Sequence, residues 1–194
     1  MNKMKQTLAI AAMMVAGTLI GQTTYQINTD ESVVEWKGEK IVGNNHVGTL
    51  KFSEGSLGIK GDKITSGKFV VDMNTIQDGG GSTRLDGHLK SDDFFSVATY
   101  PTSELVITKV SNNKNGAAEV TASLTIKGKT ETVTFPALVK MDGDNLLATA
   151  ELTFDRSKFE VRYGSNSFFD NLGDKAIKNE IAISVRVKAT KATM

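Results

Sequence analysis

Five separate stretches of this chain alternate apolar and polar residues with a period of two. That period admits extended strands with one dry and one watered face. The longest stretch runs Ala118, Val120, Ala122, Leu124, Ile126 against Glu119, Thr121, Ser123, Thr125, Lys127. Val34 and Trp36 alternate with Val33, Glu35 and Lys37, and Phe69, Val71 and Met73 with Lys68, Val70 and Asp72. Leu146–Phe154 and Ile181–Val187 repeat the pattern. Turn chemistry separates the stretches, as in Lys60-Gly61-Asp62, Lys127-Gly128-Lys129 and Asp142-Gly143-Asp144-Asn145. Connections this short favour antiparallel neighbours, since a parallel crossover needs a dozen or more residues. Two places break the rhythm. Leu85 and Leu89 lie four apart ahead of Phe94 and Phe95, which predicts one or two helical turns. Residues 165–176 read as another short helix or an ordered loop. About eight antiparallel strands remain, and with one apolar face each they close as a barrel or pack as a sandwich.

The first 21 residues do not belong to that pattern. Lys3 and Lys5 precede Leu8–Ile20, a run without charge. It is too short to span roughly 30 Å of hydrocarbon as a helix, and it has the form of a cleaved secretory signal. The expected organisation is a signal peptide at 1–21 and a single β-barrel or sandwich domain at 22–194, exported and not an integral membrane protein. Without Lys3 and Lys5 the body carries 21 basic against 22 acidic side chains, so no global field draws it to nucleic acid. The chain has no cysteine, which excludes disulfides, thiolate metal sites and a cysteine nucleophile.

Residues able to carry chemistry are few. The two histidines, His46 and His88, have no metal-ligand spacing, so neither a metal site nor a cofactor is expected. No G-x-S-x-G elbow occurs. The run Gly79-Gly80-Gly81-Ser82 lacks the G-K-[ST] of a phosphate loop and reads as a flexible link or a lid over a barrel mouth.

Residues 83–101, TRLDGHLKSDDFFSVATYP, resemble the signature of the YceI-like family of polyisoprenoid-binding periplasmic proteins. TYQINTDESVVEWKG (24–38) is similar to that family's opening strand, VTASLTIKGKTETVTFPALV (120–139) to its LTIKG…VTFP hairpin, and FDRSKFEVRYG (154–164) to its R-x-x-F element. The closing IAISVRVKA fits its last strand, so the resemblance spans about residues 24–189. Two positions depart from the pattern: Glu31 stands before Ser32 in place of a histidine, and His46-Val47-Gly48 is the nearest match to an H-x-G element.

The resemblance implies a lipocalin-like, all-β antiparallel barrel of about eight strands with one or two short helices. It also implies noncatalytic binding of an isoprenoid-like or fatty lipid. Combined with strand parity, it predicts an elongated cavity lined by Trp36, Leu50, Phe52, Phe69, Val71, Leu124, Phe135 and Phe154, with its mouth near Arg84–Phe95. Candidates for the polar end are His46, Arg84, His88, Arg156 and Arg162, because guanidinium forks suit phosphate or carboxylate oxygens. For each arginine the competing expectation is an ion pair with a neighbour such as Asp86, Asp93 or Asp155. Two other functions stay open at this level: a structural barrel filled by its own aromatic side chains, and a lipid-acting enzyme. A homodimer is compatible with every one of these readings. The export expectation is checked by intact mass: protein from the cell envelope should have lost roughly 21 N-terminal residues, and full-length protein confined to the cytosol would contradict it.

Overall fold

A computed structural model describes residues 21–192. The expected signal segment, apart from Gly21, lies outside the described residues. Nine strands and one α-helix follow in the order β1 (Thr23–Ile27), β2 (Val33–Glu39), β3 (Asn45–Lys60), β4 (Lys63–Asp78), α1 (Thr83–Lys90), β5 (Thr102–Asn112), β6 (Ala117–Ile126), β7 (Lys129–Asp142), β8 (Asn145–Asp155) and β9 (Glu180–Lys191). All pair antiparallel in one sheet, and the pairings of β1 with β9 and β3 with β4 close it into a barrel.

The ring has eight positions, because β1 and β2 share one. Both lie between β3 and β9: Tyr25 faces Leu57 and Lys191, while Val34 faces Leu50 and Val185. The interruption at 28–32 is bridged by a side chain. Buried Ser32 accepts from the Lys188 amide at 3.0 Å, and its hydroxyl lies 3.2 Å from the Lys188 carbonyl, replacing the missing ladder bonds. Glu31 ion-pairs with the Lys188 ammonium on the outside, which lowers its carboxyl pKa.

The expected hairpin forms between β6 and β7, with a two-residue turn in place of the three-residue separator read from sequence. Ile126 already pairs with Lys129, and Lys127 and Gly128 both have positive φ (51° and 70°). This is the type I′ geometry that matches strand twist.

The two ends of the barrel differ. One is closed by tight turns at 61–62 and 143–144, and buried Tyr25, Ile59, Leu146 and Ala189 pack near it. The other carries the long connections 79–101 and 156–179. The glycine run at 79–81 is an ordered turn there: the Gly79 amide donates to Val47 O and that of Gly81 to Asp78 O. Ser82 caps α1 by accepting from the Leu85 amide. The second break contains a 3₁₀ turn at Gly173–Lys175, and another at Arg156–Phe159 has no counterpart in the sequence reading.

Bulges bend β3 and β4. Register shifts fall between Thr49 and Lys51, Phe52 and Glu54, and Gly58 and Ile59. Close approach dictates Gly48: a Cβ there would lie 1.8 Å from the Gln77 carbonyl oxygen and 2.6 Å from the Trp36 ring. We predict that Gly48→Val destabilises the fold by about 1–3 kcal/mol or more through overpacking. The urea midpoint would fall and the fluorescence of Trp36 would change; an unchanged midpoint would contradict the packing described.

Candidate functional site

The barrel interior is not filled. A cavity of about 430 Å³ runs inside it, walled almost wholly by apolar side chains. Large and small side chains share its wall: Phe52 and Phe69 project from β3 and β4, while β7 and β8 contribute the small Ala137, Ala148 and Ala150 beside Phe135, Leu152 and Phe154. Phe69, Val71, Ile181, Ile183 and Val185 have inward parity yet remain half-buried, because their neighbour is open lumen.

All eight side chains expected at the lining border this cavity: Trp36, Leu50, Phe52, Phe69, Val71, Leu124, Phe135 and Phe154. Leu57, Ile64 and Ile76 join them from strand positions out of phase with the sequence alternation, since the bulges reverse parity along β3 and β4. The Trp36 indole N–H has no hydrogen-bond partner among the described residues.

The opening is found from residues that belong both to the cavity wall and to the solvent surface. Lys40, His46 and Tyr163 are exposed wall residues, with half-buried Leu85 and His88 beside them. They sit on the β2–β3 connection, at the start of β3, on α1 and on the 156–179 connection, all at one end. Helix α1 contributes Leu85, His88 and Leu89 to the wall, and the segment after it adds Phe94 and Phe95. The mouth thus borders the Arg84–Phe95 segment as expected.

Two cover segments meet across this end. The His88 ring is edge-on to Tyr163 (4.5 Å between centroids) and to Phe94 (4.9 Å). Lys127 donates from its ammonium to Phe94 O at 2.9 Å and to Glu160 O at 3.1 Å, tying both segments to the β6–β7 turn. This role accounts for a lysine at a positive φ, and burial lowers its pKa. The β2–β3 connection is fastened to residues 176–178 by Ile41 N–H to Ala176 O, Lys178 N–H to Glu39 O and the Lys40–Ile177 bridge. Hydrogen bonds from Lys178 and Lys37 hold the Glu39 carboxyl at a pKa of about 2. The stability it lends is full above its ordinary value of 4.5 and is lost only as pH falls through about 2.

The five candidates for the polar end separate. His46, His88 and Arg156 are in the wall; Arg84 and Arg162 are not. Arg84 is exposed on α1. Arg162 forks onto Glu160, with Nε 2.7 Å from the carboxylate, and stacks on Phe168 at 4.9 Å. It is therefore ion-paired, though not with the aspartates considered from sequence. His46 Nδ1 lies 3.4 Å from Asp78 Oδ1, and His88 Nε2 lies 3.2 Å from Asp93 Oδ2.

Arg156 is almost fully buried, and it binds backbone carbonyls where the competing expectation was Asp155. Nε donates to Lys178 O, Nη1 to Val161 O and Tyr163 O, and Nη2 to Ile177 O, at 2.8–3.2 Å. Burial lowers its pKa, with Asp155 partly opposing the shift. Its donors hold the returning connection in place, so it acts first as a scaffold. Replacing it with Lys offers three donors for four carbonyls; we predict a loss of about 2–4 kcal/mol in the urea midpoint measurement. A variant as stable as the parent would contradict this role.

Comparison with known proteins places this geometry in a lineage. The model of the YceI-like domain matches residues 25–189. A UPF0312 protein of Pseudomonas putida is 30% identical over 145 residues, covering 72% of this chain and 76% of its own length. One from Shewanella denitrificans is 26% identical over 138 residues, covering 70% and 72%. Among solved structures, Burkholderia cenocepacia BcnA superposes with a TM-score of 0.72 at 24% identity, covering 84% of this chain and 99% of its own. A polyisoprenoid binding domain from Saccharophagus degradans, implicated in plant cell wall breakdown, gives 0.65 at 14% identity, covering 88% and 99%. At these identities the two structures speak to the fold.

Proposed function

This chain belongs to the YceI-like family, and we propose that it is a noncatalytic carrier that holds an isoprenoid-like or other long-chain amphiphilic lipid in its barrel. The observation that carries the reading is the hollow apolar lumen with a polar-rimmed mouth. A volume of about 430 Å³ falls within the range of small-molecule sites. Left empty, a cavity of that size forgoes packing worth at most on the order of 10 kcal/mol at roughly 24 cal/mol per Å³. That is comparable to the whole stability of an ordinary domain. A bound chain recovers it, at about 0.8 kcal/mol per buried CH₂ before the ordering cost.

The lining assigned to the lipid tail is the eight-residue set from Trp36 to Phe154 named above. For the head group we assign His46 and His88, with Lys40 and Tyr163 beside them at the rim. Arg156 supports them by fixing the backbone of Tyr163. Arg84 and Arg162 stand outside this set. The carrier works outside the cytoplasm in this reading, as the N-terminal segment implies.

Val71→Trp tests it. The indole would occupy lumen, and we predict that lipid recovered by solvent extraction, counted per protein by mass spectrometry, falls about tenfold or more while the barrel still unfolds cooperatively in urea. Unchanged lipid in a folded Val71→Trp protein would count against the lining. A parent protein purified without detergent and found lipid-free would overturn the carrier reading.

A further inference from the structure

Seven large apolar side chains are exposed among the described residues, and they are distributed unevenly. Only Met141 lies at the tight-turn end. Ile41, Val42, Val47, Tyr100, Tyr163 and Phe169 all lie at the mouth end. Ile41 and Val42, at 50% and 55% exposure, form the tip of the β2–β3 connection next to the rim residue Lys40. Tyr163 is itself a rim residue, and Phe169, at 49%, follows on the connection whose residues 176–178 are bonded to 39–41. Ile41, Val42 and Tyr163 thus adjoin the opening of the cavity.

We propose that this end docks on a phospholipid bilayer, Ile41 and Val42 entering the interfacial region so that an apolar ligand passes between cavity and membrane without crossing water. The proposal rests on the carrier reading above. Transit through water would expose each methylene at about 0.8 kcal/mol, whereas a mouth pressed to the bilayer removes that barrier. Clustered exposed apolar surface of this kind marks an interaction face. Charge is not the driving force: Lys40 and Lys175 near the patch are offset by Asp170 and Asp174, and Glu39 and Glu160 are already paired with cations. A neutral bilayer suffices, and its binding should withstand salt.

The test is flotation with phosphatidylcholine vesicles. Parent protein, Ile41→Asn/Val42→Asn and Met141→Asn are expressed from the full sequence and matched by intact mass, so all carry the same N-terminus. Neither Ile41 nor Val42 lines the cavity. We expect the parent and Met141→Asn to float with the vesicles, including in about 0.5 M salt, and the double variant to partition at least about tenfold less. Its extracted lipid and urea midpoint should match the parent. A parent that stays at the bottom while loaded with lipid overturns docking alone, since extraction of the same samples reads the carrier function separately. A double variant that floats like the parent overturns it too, as does binding confined to anionic vesicles at low salt. Sedimentation supplies the remaining outcome: a parent dimer that the double variant dissolves assigns the patch to a second copy of the chain and overturns docking.

Discussion

Closure of one hydrogen-bonded ladder sets the radius of this molecule, and the radius decides whether there is room inside. Eight positions around a ring give an interior just wide enough to be filled by side chains or to hold one slender ligand. Here the balance falls toward space. Small residues such as Ala137, Ala148 and Ala150 take lining positions among the larger side chains, and about 430 Å³ remains. The ring holds eight positions only because β1 and β2 share one. The Ser32 hydroxyl substitutes for backbone where the shared strand breaks. That buried side chain, with the Asn28 amide donating to the Lys188 carbonyl, keeps the wall continuous beside Lys188.

The ends of the barrel divide stability from access. Tight turns and a packed floor shut one end. At the other, two long connections lean on each other through His88 and Tyr163 and are bolted down by Lys127 and Arg156. Both cations donate to backbone carbonyls that a loop inside a barrel end would otherwise leave unpaired. Family membership supplies the chemistry expected of such a vessel, and the apolar wall is its physical counterpart.

Much of this was legible in the sequence. Period-two alternation marked five of the strands, and strand parity taken together with the family resemblance pointed to the eight lining residues. Parity failed where a bulge intervened. Ile64 and Ile76 face the lumen out of phase with Phe69, Val71 and Met73, because each register shift exchanges inside for outside. The arginines were less legible for a different reason. Alternation says which way a strand residue points, but Arg156 and Arg162 lie in irregular backbone, where carbonyl positions decide their partners. Lys127 read as a turn residue; nothing in its local sequence marks the long-range bonds to Phe94 and Glu160. Lys40 and Tyr163 escaped notice likewise, since the opening is made by three connections that meet only in the folded chain.

The central claim is that the lumen is a binding site and not a packing defect. A high-resolution crystal structure of protein purified without detergent addresses it directly. A lipid-holding lumen should show continuous elongated density in contact with Val71, Leu124 and Phe135, with its polar end between His46 and His88. A dry, empty lumen, or one closed by inward collapse of Phe52 and Phe69, would contradict it.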